Sequence, residues 1–398
     1  MRQKLTLAYK LKSTAIVTTV GVGAFFGIGV YRNEDKFYDK FLMPIVQLCP
    51  PEYCHRLAVL GFKYKLFPRQ HQPDSENLKT KLLDFSLSNP LGIAAGFDKH
   101  GEAVDGLSQS GFGFVEIGSV TPEPQPGNDK PRVFRLIEDK AIINRYGFNS
   151  DGHDAVLERL LKLKKSNAEI VLGVNLGKNK TTEIAHDDYV KGIDKFASVA
   201  DYFVVNISSP NTAGLRNLQQ AENLQLLLRK VIEARNKLDQ AKRPPILLKV
   251  APDLTDSDVQ DIVSVISKKE CRVDGLLISN TTIERSESLK SKDKSETGGL
   301  SGAPLGSRST KMIAKIYTAT KGQVPIIGIG GIFNGQDAFD KIVAGASAVQ
   351  IYTSLIYHGP PVIQKIKKEL SNLLAANGYE SVEMARGKQA KIIAKETK

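Results

Sequence analysis

Tyr202–Phe–Val–Val–Asn–Ile–Ser–Ser–Pro–Asn–Thr212 contains the strongest structural signal in the chain. Its first four residues are β-branched or aromatic, a composition typical of a short buried strand. The strand then gives way to small polar residues around Ser209, and Pro210 fixes the backbone between them. Such a cluster of neutral donors and acceptors suits a planar, hydrogen-bonding ligand, although a turn selected only for its geometry would use the same residue types.

Seven further apolar runs have the same form, because each is short and leads into Gly, Asn, Ser or Lys. The eight runs are 92–97, 114–121, 170–177, 202–208, 246–252, 275–281, 326–332 and 348–354. Helical patterns lie between most of them, for example at 218–238, 256–268 and 309–320. This alternation predicts a parallel sheet, and eight strands favour an α/β fold of the closed (β/α)8 TIM barrel type, with a doubly wound sheet as the alternative.

In such a barrel the ends of all the strands converge on one face, where active sites lie. We therefore expect one site to contain the residues that end the runs: Lys99, Ser119, Asn144, Asn175, Asn206, Lys249, Asn280, Gly330 and Thr353. The many amide side chains indicate a cyclic imide or amide ligand rather than a metal. Lys249 would supply either a fixed positive charge or one half of an ion pair. The glycines at 328–332, followed by a helix, predict a phosphate site at the last barrel loops.

Other kinds of chemistry lack a pattern in this sequence. The histidines form no triad-like arrangement, and Cys49, Cys54 and Cys271 have no metal-ligand spacing, so we predict no metal site. A neutral, polar site with two lysines suits an organic cofactor that carries the chemistry. The net charge of +12 is spread along the chain without an aromatic-interleaved basic patch, which argues against nucleic-acid binding.

The amino-terminal region predicts attachment to a membrane. Residues 1–12 carry four basic residues and no acid, and residues 13–31 carry no charge. This pattern indicates a basic targeting leader and one transmembrane helix, since about 20 residues cross a bilayer; the alternative is a cleaved secretory signal, although its usual cleavage site is missing. Residues 36–67 alternate apolar and basic side chains, and Pro50 and Pro51 divide them into two short helices. These would lie on the membrane surface or pack as a hairpin on their own domain.

Several ordered motifs, most of them ending a predicted strand, make the chain resemble a known family. They are AAGFDKHGE (94–102), EIGSVTP (116–122), NRYGFN (144–149), GVNLGK (173–178), VNISSPNT (205–212), KVAPD (249–253), GGLSG (298–302) and YT (352–353). Together they resemble the membrane-bound, quinone-linked dihydroorotate dehydrogenases of mitochondria. The resemblance extends from about residue 55 to residue 361.

The resemblance implies that residues 78–377 form an FMN-binding barrel. Residues 378–398 form a basic tail that the family motifs do not cover. The barrel would oxidise (S)-dihydroorotate to orotate in pyrimidine synthesis and pass the electrons to ubiquinone. By position, FMN would contact Ala95, Gly96, Ser119, Asn175, Asn206, Lys249, Ser279, Gly302, Gly331, Tyr352 and Thr353. The substrate would contact Lys99, Asn144, Tyr146, Gly147, Phe148, Asn149, Asn211, Asn280 and Thr281, and Ser209 matches the catalytic base.

The same resemblance makes residues 36–67 a quinone-access subdomain, with His55, Arg135 and Tyr352 along the route. A basic leader held in the matrix would place the catalytic domain in the intermembrane space, on a single-pass inner-membrane anchor, with membrane lipid as a partner and no protein partner. Soluble relatives that use fumarate or an NAD-linked acceptor have cysteine in the position of Ser209 and lack the leader. A membrane-tethered flavin protein without turnover would have no use for Lys99 and Ser209 together.

Overall fold

The computed structural model describes residues 6–166, 170–240 and 243–395. Eight parallel strands close into a barrel: β1 Leu91–Ile93, β2 Phe114–Val120, β3 Val171–Leu176, β4 Tyr202–Asn206, β5 Ile246–Val250, β6 Gly275–Ile278, β7 Ile326–Ile329 and β8 Ala348–Ile351. Consecutive strands pair with each other, and β8 pairs with β1 to close the ring. The predicted barrel is confirmed, and each predicted run overlaps one strand.

Helices surround the ring and bury their apolar faces against it. They are Val104–Gln109, Gly152–Lys165, Ala185–Phe196, Ala221–Lys237, Asp256–Ile266, Gly306–Ala319, Gly335–Ala344, Thr353–His358 and Pro361–Ala376. Inside the ring, Phe114, Tyr202 and Leu247 form an apolar cluster near the amino ends of the strands. A hairpin of Thr80–Leu82 and Phe85–Leu87 adds the buried side chains Leu82 and Leu87 to that cluster. The amino end of the barrel is thus filled, and polar side chains lie further along the strands.

A separate antiparallel sheet of Val133–Leu136, Ala141–Asn144 and Gly299–Gly302 lies outside the barrel ring. We expected Asn144 to end a barrel strand, and this was wrong because Asn144 ends the middle strand of this extra sheet. Two of its strands, Val133–Leu136 and Ala141–Asn144, form a local hairpin. The third strand joins them across 155 residues of chain at the Asn144–Gly299 position, and this pairing leaves no local pattern in the sequence.

The amino-terminal segment is helical, as the sequence indicates. One helix, Leu7–Arg32, is long and apolar enough to cross a membrane, and it begins before the predicted boundary at residue 13. Only Gly29 of this helix is buried, where it contacts the ring of Phe37. Most of the helix surface is therefore free to contact lipid.

Two helical stretches follow and are separated at Pro50 and Pro51, as predicted. The first consists of Asp35–Phe37, the π-helical Tyr38–Leu42 and Met43–Gln47, and the second is Pro51–Lys63. Phe62 is buried against Phe97, which fixes the second helix on the barrel. Other apolar side chains of the two stretches stay exposed, namely Phe41, Ile45, Leu48, Tyr53 and Leu57. The segment thus packs on its own domain with one face and keeps an apolar face outward.

The carboxyl-terminal segment, which the sequence marks as a basic tail from residue 378, folds onto the barrel over the described residues up to 395. Two short helices, Val382–Ala385 and Ala390–Lys395, follow the last long helix. The side chains of Val382 and Ala385 are buried in the main core. The backbone N–H of Gly387 donates to the carbonyl of Ile342 at 3.0 Å, which ties this segment to a barrel helix.

Candidate active site

Two adjoining pockets lie at the carboxyl ends of the barrel strands. The first, which we call the amide pocket, has a volume of about 120 Å³. Its lining contains Ala95, Gly96, Lys99, Gly118, Ser119, Asn144, Tyr146, Gly147, Phe148, Asn149, Asn206, Ser209, Asn211, Lys249, Asn280, Thr281, Ser301 and Tyr352. The structure thus brings every predicted substrate residue, and Ser209, to one pocket. Gly118 and Ser301 were not predicted as site residues, although both lie within the quoted motifs.

The second pocket, which we call the glycine pocket, has a volume of about 70 Å³ and shares several walls with the first. Among the predicted residues it contains Lys249, Ser279, Gly302, Gly331, Tyr352 and Thr353. Gly331 has φ +70°, and a Cβ there would lie 2.3 Å from Cα of Gly306, so only glycine lets these two loops touch. At Gly96, with φ +100°, a Cβ would meet no atom within 4 Å, which leaves open space beside the backbone.

A chain of hydrogen bonds links the ends of β2, β3 and β4 beneath the pockets. The side chain of Asn206 donates to Ser119 Oγ at 2.9 Å and to Asn175 Oδ1 at 3.2 Å, and Ser119 also bonds with Asn175. Asn280 donates to Ser208 Oγ at 2.9 Å, which connects β6 to the same network. Asn175 is fully buried and lies below the pocket surface, so it acts on the site through its neighbours.

Ser209 is buried in the loop that follows β4. Its Oγ accepts the backbone N–H of Asn211 at 3.3 Å. Arg216 holds this loop, because its guanidinium donates to the carbonyls of Ser208 at 3.1 Å and Thr281 at 2.8 Å and to Asp253 at 2.8 Å. Sequence reasoning missed Arg216, since its partners come from three different loops and share no spacing with it.

Lys99 is the cationic group of the amide pocket. Its Nζ donates to the carbonyl of Gly96 at 2.7 Å and lies 3.8 Å from the centroid of the Tyr146 ring. Burial lowers the pKa of Lys99 to about 7, although Glu52 acts in the opposite direction. The amine is therefore close to half-charged at neutral pH, and an anionic ligand beside it would favour its charged form.

Lys249 lies 3.9 Å from Glu116, so the ion-pair alternative weighed from the sequence describes a real proximity. The two side chains come from β5 and β2, and both are buried inside the ring. Burial lowers the pKa of Lys249, and Glu116 opposes that shift. Glu116 was not predicted as a site residue, because nothing in the sequence shows that its side chain points into the barrel beside a lysine.

A third cavity, which we call the apolar cavity, has a volume of about 360 Å³ and lies between the amino-terminal helices and the barrel. His55, Arg135 and Tyr352, the three residues predicted for a quinone route, all line it. Most of its other walls are apolar, including Leu42, Met43, Val46, Ala58, Phe62 and Leu355. Asn144, Tyr146 and Tyr352 line both this cavity and the amide pocket, so the two spaces are separated by a single layer of side chains.

His55 is held by contacts on both ring nitrogens. Its Nε2 lies 2.7 Å from the carbonyl of Phe97, which can only accept, so Nε2 carries the proton. Its Nδ1 lies 3.5 Å from the hydroxyl of Tyr146 and can accept from it. Burial, followed by the nearby charge of Lys99, lowers the pKa of His55 to about 3, so the ring is neutral at physiological pH.

Comparison with known proteins agrees with this geometry. A model of the family described as dihydroorotate dehydrogenase matches residues 77–374. The mouse mitochondrial dihydroorotate dehydrogenase (quinone) is 52% identical and covers 89% of this chain and 91% of its own. The mitochondrial enzyme of the same name from Lachancea kluyveri is 44% identical, with 93% and 91% covered. The ligand-free DHODH structure from Eimeria tenella superposes with a TM-score of 0.83 at 45% identity, covering 85% of this chain and 99% of that one.

Proposed function

The chain belongs to the dihydroorotate dehydrogenase family, and from this membership we propose that it oxidises (S)-dihydroorotate to orotate and passes the electrons to a quinone. One observation carries the proposal: Tyr146 and Tyr352 line both the polar amide pocket and the apolar cavity. The polar side suits an anionic cyclic imide, and the apolar side suits a lipid-soluble acceptor. The protein is therefore an oxidoreductase with separate spaces for its two substrates.

FMN is the cofactor that we propose for the site, and the described residues fit it. The open space beside Gly96 and the glycine turn at Gly331 leave room for a planar ring and for a phosphate near backbone donors. The buried Oε1 of Gln350 faces the glycine pocket without a hydrogen-bond partner and can accept from a ligand. When bound, FMN supplies the two-electron redox chemistry that the side chains lack. The residues that would hold it are Ala95, Gly96, Ser119, Asn206, Lys249, Ser279, Gly302, Gly331, Tyr352 and Thr353, and Asn175 would support Ser119 and Asn206 from below.

The substrate would lie in the amide pocket. Lys99 would hold its carboxylate, since a buried ammonium and a carboxylate stabilise each other where water is excluded. The amides Asn144, Asn211 and Asn280 offer both donors and acceptors to the imide edge. The rest of the pocket around the substrate would be formed by Tyr146, Gly147, Phe148, Asn149 and Thr281.

Ser209 would take the proton from the ring carbon next to the one that bears the carboxylate, while its own hydroxyl proton would pass to water. Its hydroxyl oxygen is buried and accepts the Asn211 N–H, which favours negative charge developing on that oxygen. Arg216 holds the Ser209 loop against the loops after β5 and β6. This contact limits the movement of the base relative to the bound ring.

The quinone would enter through the apolar cavity, with ubiquinone as the acceptor we propose. Arg135 donates to the Gln47 carbonyl at 2.7 Å with one nitrogen, and its other N–H groups remain to meet a quinone oxygen. Burial raises the pKa of Tyr352, so its hydroxyl stays protonated and can donate as well. Because His55 is neutral, it adds no charge to that of Arg135 in the lining of the cavity.

The cellular location follows from the apolar helix and the mitochondrial relatives. We place the chain in the mitochondrial inner membrane, anchored by Leu7–Arg32 and in contact with membrane lipid, with the barrel in the intermembrane space. The basic residues before the helix support this orientation, since positive charge is retained on the matrix side. Protease protection of an epitope on the barrel in intact mitochondria and in outer-membrane-ruptured mitochondria would test it.

The activity itself is tested with the purified full-length protein in detergent. We expect a bound flavin, identified as FMN after release, whose oxidised absorbance is lost on anaerobic addition of dihydroorotate. Orotate should form in a one-to-one ratio with the flavin reduced. A preparation that binds FMN but does not respond to dihydroorotate would contradict the proposed reaction.

A further inference from the structure

Glu116 is a buried carboxylate inside the barrel that has no part in the reaction as described so far. It lies on β2, two residues after Phe114, and its side chain is fully excluded from solvent. Barrel interiors are normally filled by branched apolar side chains. A buried carboxylate costs free energy unless it is paired and hydrogen-bonded, so the partners of Glu116 indicate its role.

Three polar side chains surround the Glu116 carboxylate, each from a different strand. Oε1 accepts from Nδ2 of Asn175 on β3 at 2.9 Å, and Oε2 accepts from Nε2 of Gln350 on β8 at 2.8 Å. The ammonium of Lys249 on β5 lies 3.9 Å from Oε1. The carboxylate is thus shared between two amides and one cation, directly below the two pockets.

The Glu116 carboxylate fixes the orientation of the side-chain amides of Asn175 and Gln350. An ionised carboxylate only accepts, so Asn175 and Gln350 must each present an NH₂ group to it. Asn175 then turns its oxygen to Ser119 and Asn206, which line the amide pocket. Gln350 turns its oxygen away from Glu116, and that buried atom has no partner in the described chain. One acid therefore fixes the orientation of two side-chain amides beneath the pockets.

The same carboxylate opposes the effect of burial on Lys249. Burial lowers the pKa of Lys249, and Glu116 is the charged group that raises it. The Tyr202 hydroxyl also lies near Glu116, but burial and this acid raise the pKa of Tyr202 far above its ordinary value, so it stays neutral. Lys249 is thus the group whose charge depends on Glu116.

We propose that Glu116 is a positioning residue for the redox reaction: it keeps Lys249 charged beside the flavin and fixes the amides of Asn175 and Gln350. This inference rests on the proposed FMN site. A charged Lys249 stabilises the negative charge of the reduced flavin ring. The protonation state of this lysine therefore affects the midpoint potential of the cofactor. Glu116 acts on the reaction only through these neighbours.

The test is the midpoint potential of the bound flavin, measured against pH in the full-length wild-type protein and in Glu116→Gln. A plot of the midpoint potential against pH changes slope at the pH where Lys249 loses its proton, and we call this change of slope the break. In Glu116→Gln we expect this break about one pH unit or more lower, because an opposite charge at this distance shifts a pKa by at least that much. Glu116→Asp keeps the charge and should return the break most of the way toward wild type.

Two further variants make the result specific. Asp188→Asn removes another buried carboxylate, one that accepts the backbone N–H of Asn179 outside the barrel interior, and it should leave the break unmoved. In Lys249→Met the break should be absent, and adding Glu116→Gln should not create one. An unmoved break in Glu116→Gln would overturn the proposal. A break that persists in Lys249→Met would also overturn it, and that outcome does not depend on whether Glu116→Gln folds. A wild-type protein without flavin would instead refute the proposed cofactor, and this inference with it.

Discussion

Ser209, the proposed base, has a hydroxyl that contacts neither a histidine nor a carboxylate in the described residues. A serine hydroxyl is a weak base at neutral pH, so its surroundings must favour the transfer of the proton. Burial and the Asn211 N–H are the features that the structure supplies. The first prediction concerns this residue.

Ser209→Ala should slow reduction of the flavin by dihydroorotate by at least ~100-fold, the lower range for loss of an acid–base group. The affinity for FMN and the rate of quinone-driven reoxidation should stay unchanged, because Ser209 does not line the glycine pocket or the apolar cavity. Anaerobic stopped-flow absorbance measures both half-reactions. A wild-type reduction rate in this variant would remove Ser209 from its role.

Lys99 gives a prediction about pH. Burial lowers its pKa to about 7 in the free protein, so its ammonium is present below that pH and is lost as the pH rises above it. Orotate should therefore bind most tightly below about pH 7, and its Kd should rise by up to about tenfold per pH unit above it. Titration calorimetry over about pH 6 to 9 measures this dependence. Lys99→Arg, which keeps its charge throughout, should bind with a flat profile, and an unchanged slope in that variant would exclude Lys99 as the titrating group.

At the residue level the sequence was informative where a motif fixes a position and uninformative where a contact crosses the barrel. Lys99, Ser209 and Lys249 follow strands within recognisable motifs, so their positions were predictable. Glu116 and Gln350 are 234 positions apart in the chain and meet only because β2 and β8 belong to one closed ring. Only the three-dimensional fold reveals such a pair.

The Pro51–Lys63 helix forms one wall of the apolar cavity and gives a prediction at the level of an element. Ala58 lines the cavity, and Ala58→Trp would fill part of its 360 Å³. We expect quinone-driven reoxidation to slow by about tenfold or more, while reduction by dihydroorotate is unaffected, since a cavity that is filled loses its ligand contacts. Tyr53→Trp, an exposed position of the same helix outside the cavity lining, is the control. Equal slowing of both half-reactions would mean that the helix has a structural role.

The Leu7–Arg32 helix leads to a different expectation. No side chain between Leu7 and Ala24 is buried, whereas Phe25 and Phe26 contact the ring of Phe37. Removing residues 1–24 should therefore leave the thermal unfolding midpoint and flavin reduction unchanged. Binding to lipid vesicles should be lost, as measured by flotation. A truncated protein that floats with vesicles as well as the full-length protein would show that residues 36–67 suffice for attachment.

Elements were predictable where their patterns are local. The eight barrel strands are short apolar runs between helical patterns, and Pro50 with Pro51 marks the break between the two amino-terminal stretches. The antiparallel sheet that contains Ala141–Asn144 was missed because its two hairpin strands have only four residues each and its third strand, Gly299–Gly302, lies far along the chain. Residues 378–398 were taken as a basic tail because the family motifs do not extend into them. The burial of Val382 and Ala385 depends on grooves between barrel helices that the sequence does not display.

The whole molecule places its two chemical environments on opposite sides of one layer of side chains. The amide pocket belongs to the barrel, and the apolar cavity belongs to the junction with the amino-terminal helices. Asn144, Tyr146 and Tyr352 are common to both. The proposed substrate and the proposed quinone would therefore occupy two different spaces with these three side chains between them.

Reoxidation of the reduced flavin by a short-chain ubiquinone, with and without saturating orotate, tests this division most directly. If the two ligands occupy separate spaces, orotate in the amide pocket should leave the quinone saturation curve nearly unchanged. Competitive inhibition of reoxidation by orotate, with the apparent quinone affinity falling in proportion to orotate concentration, would place both ligands in one space and contradict the account.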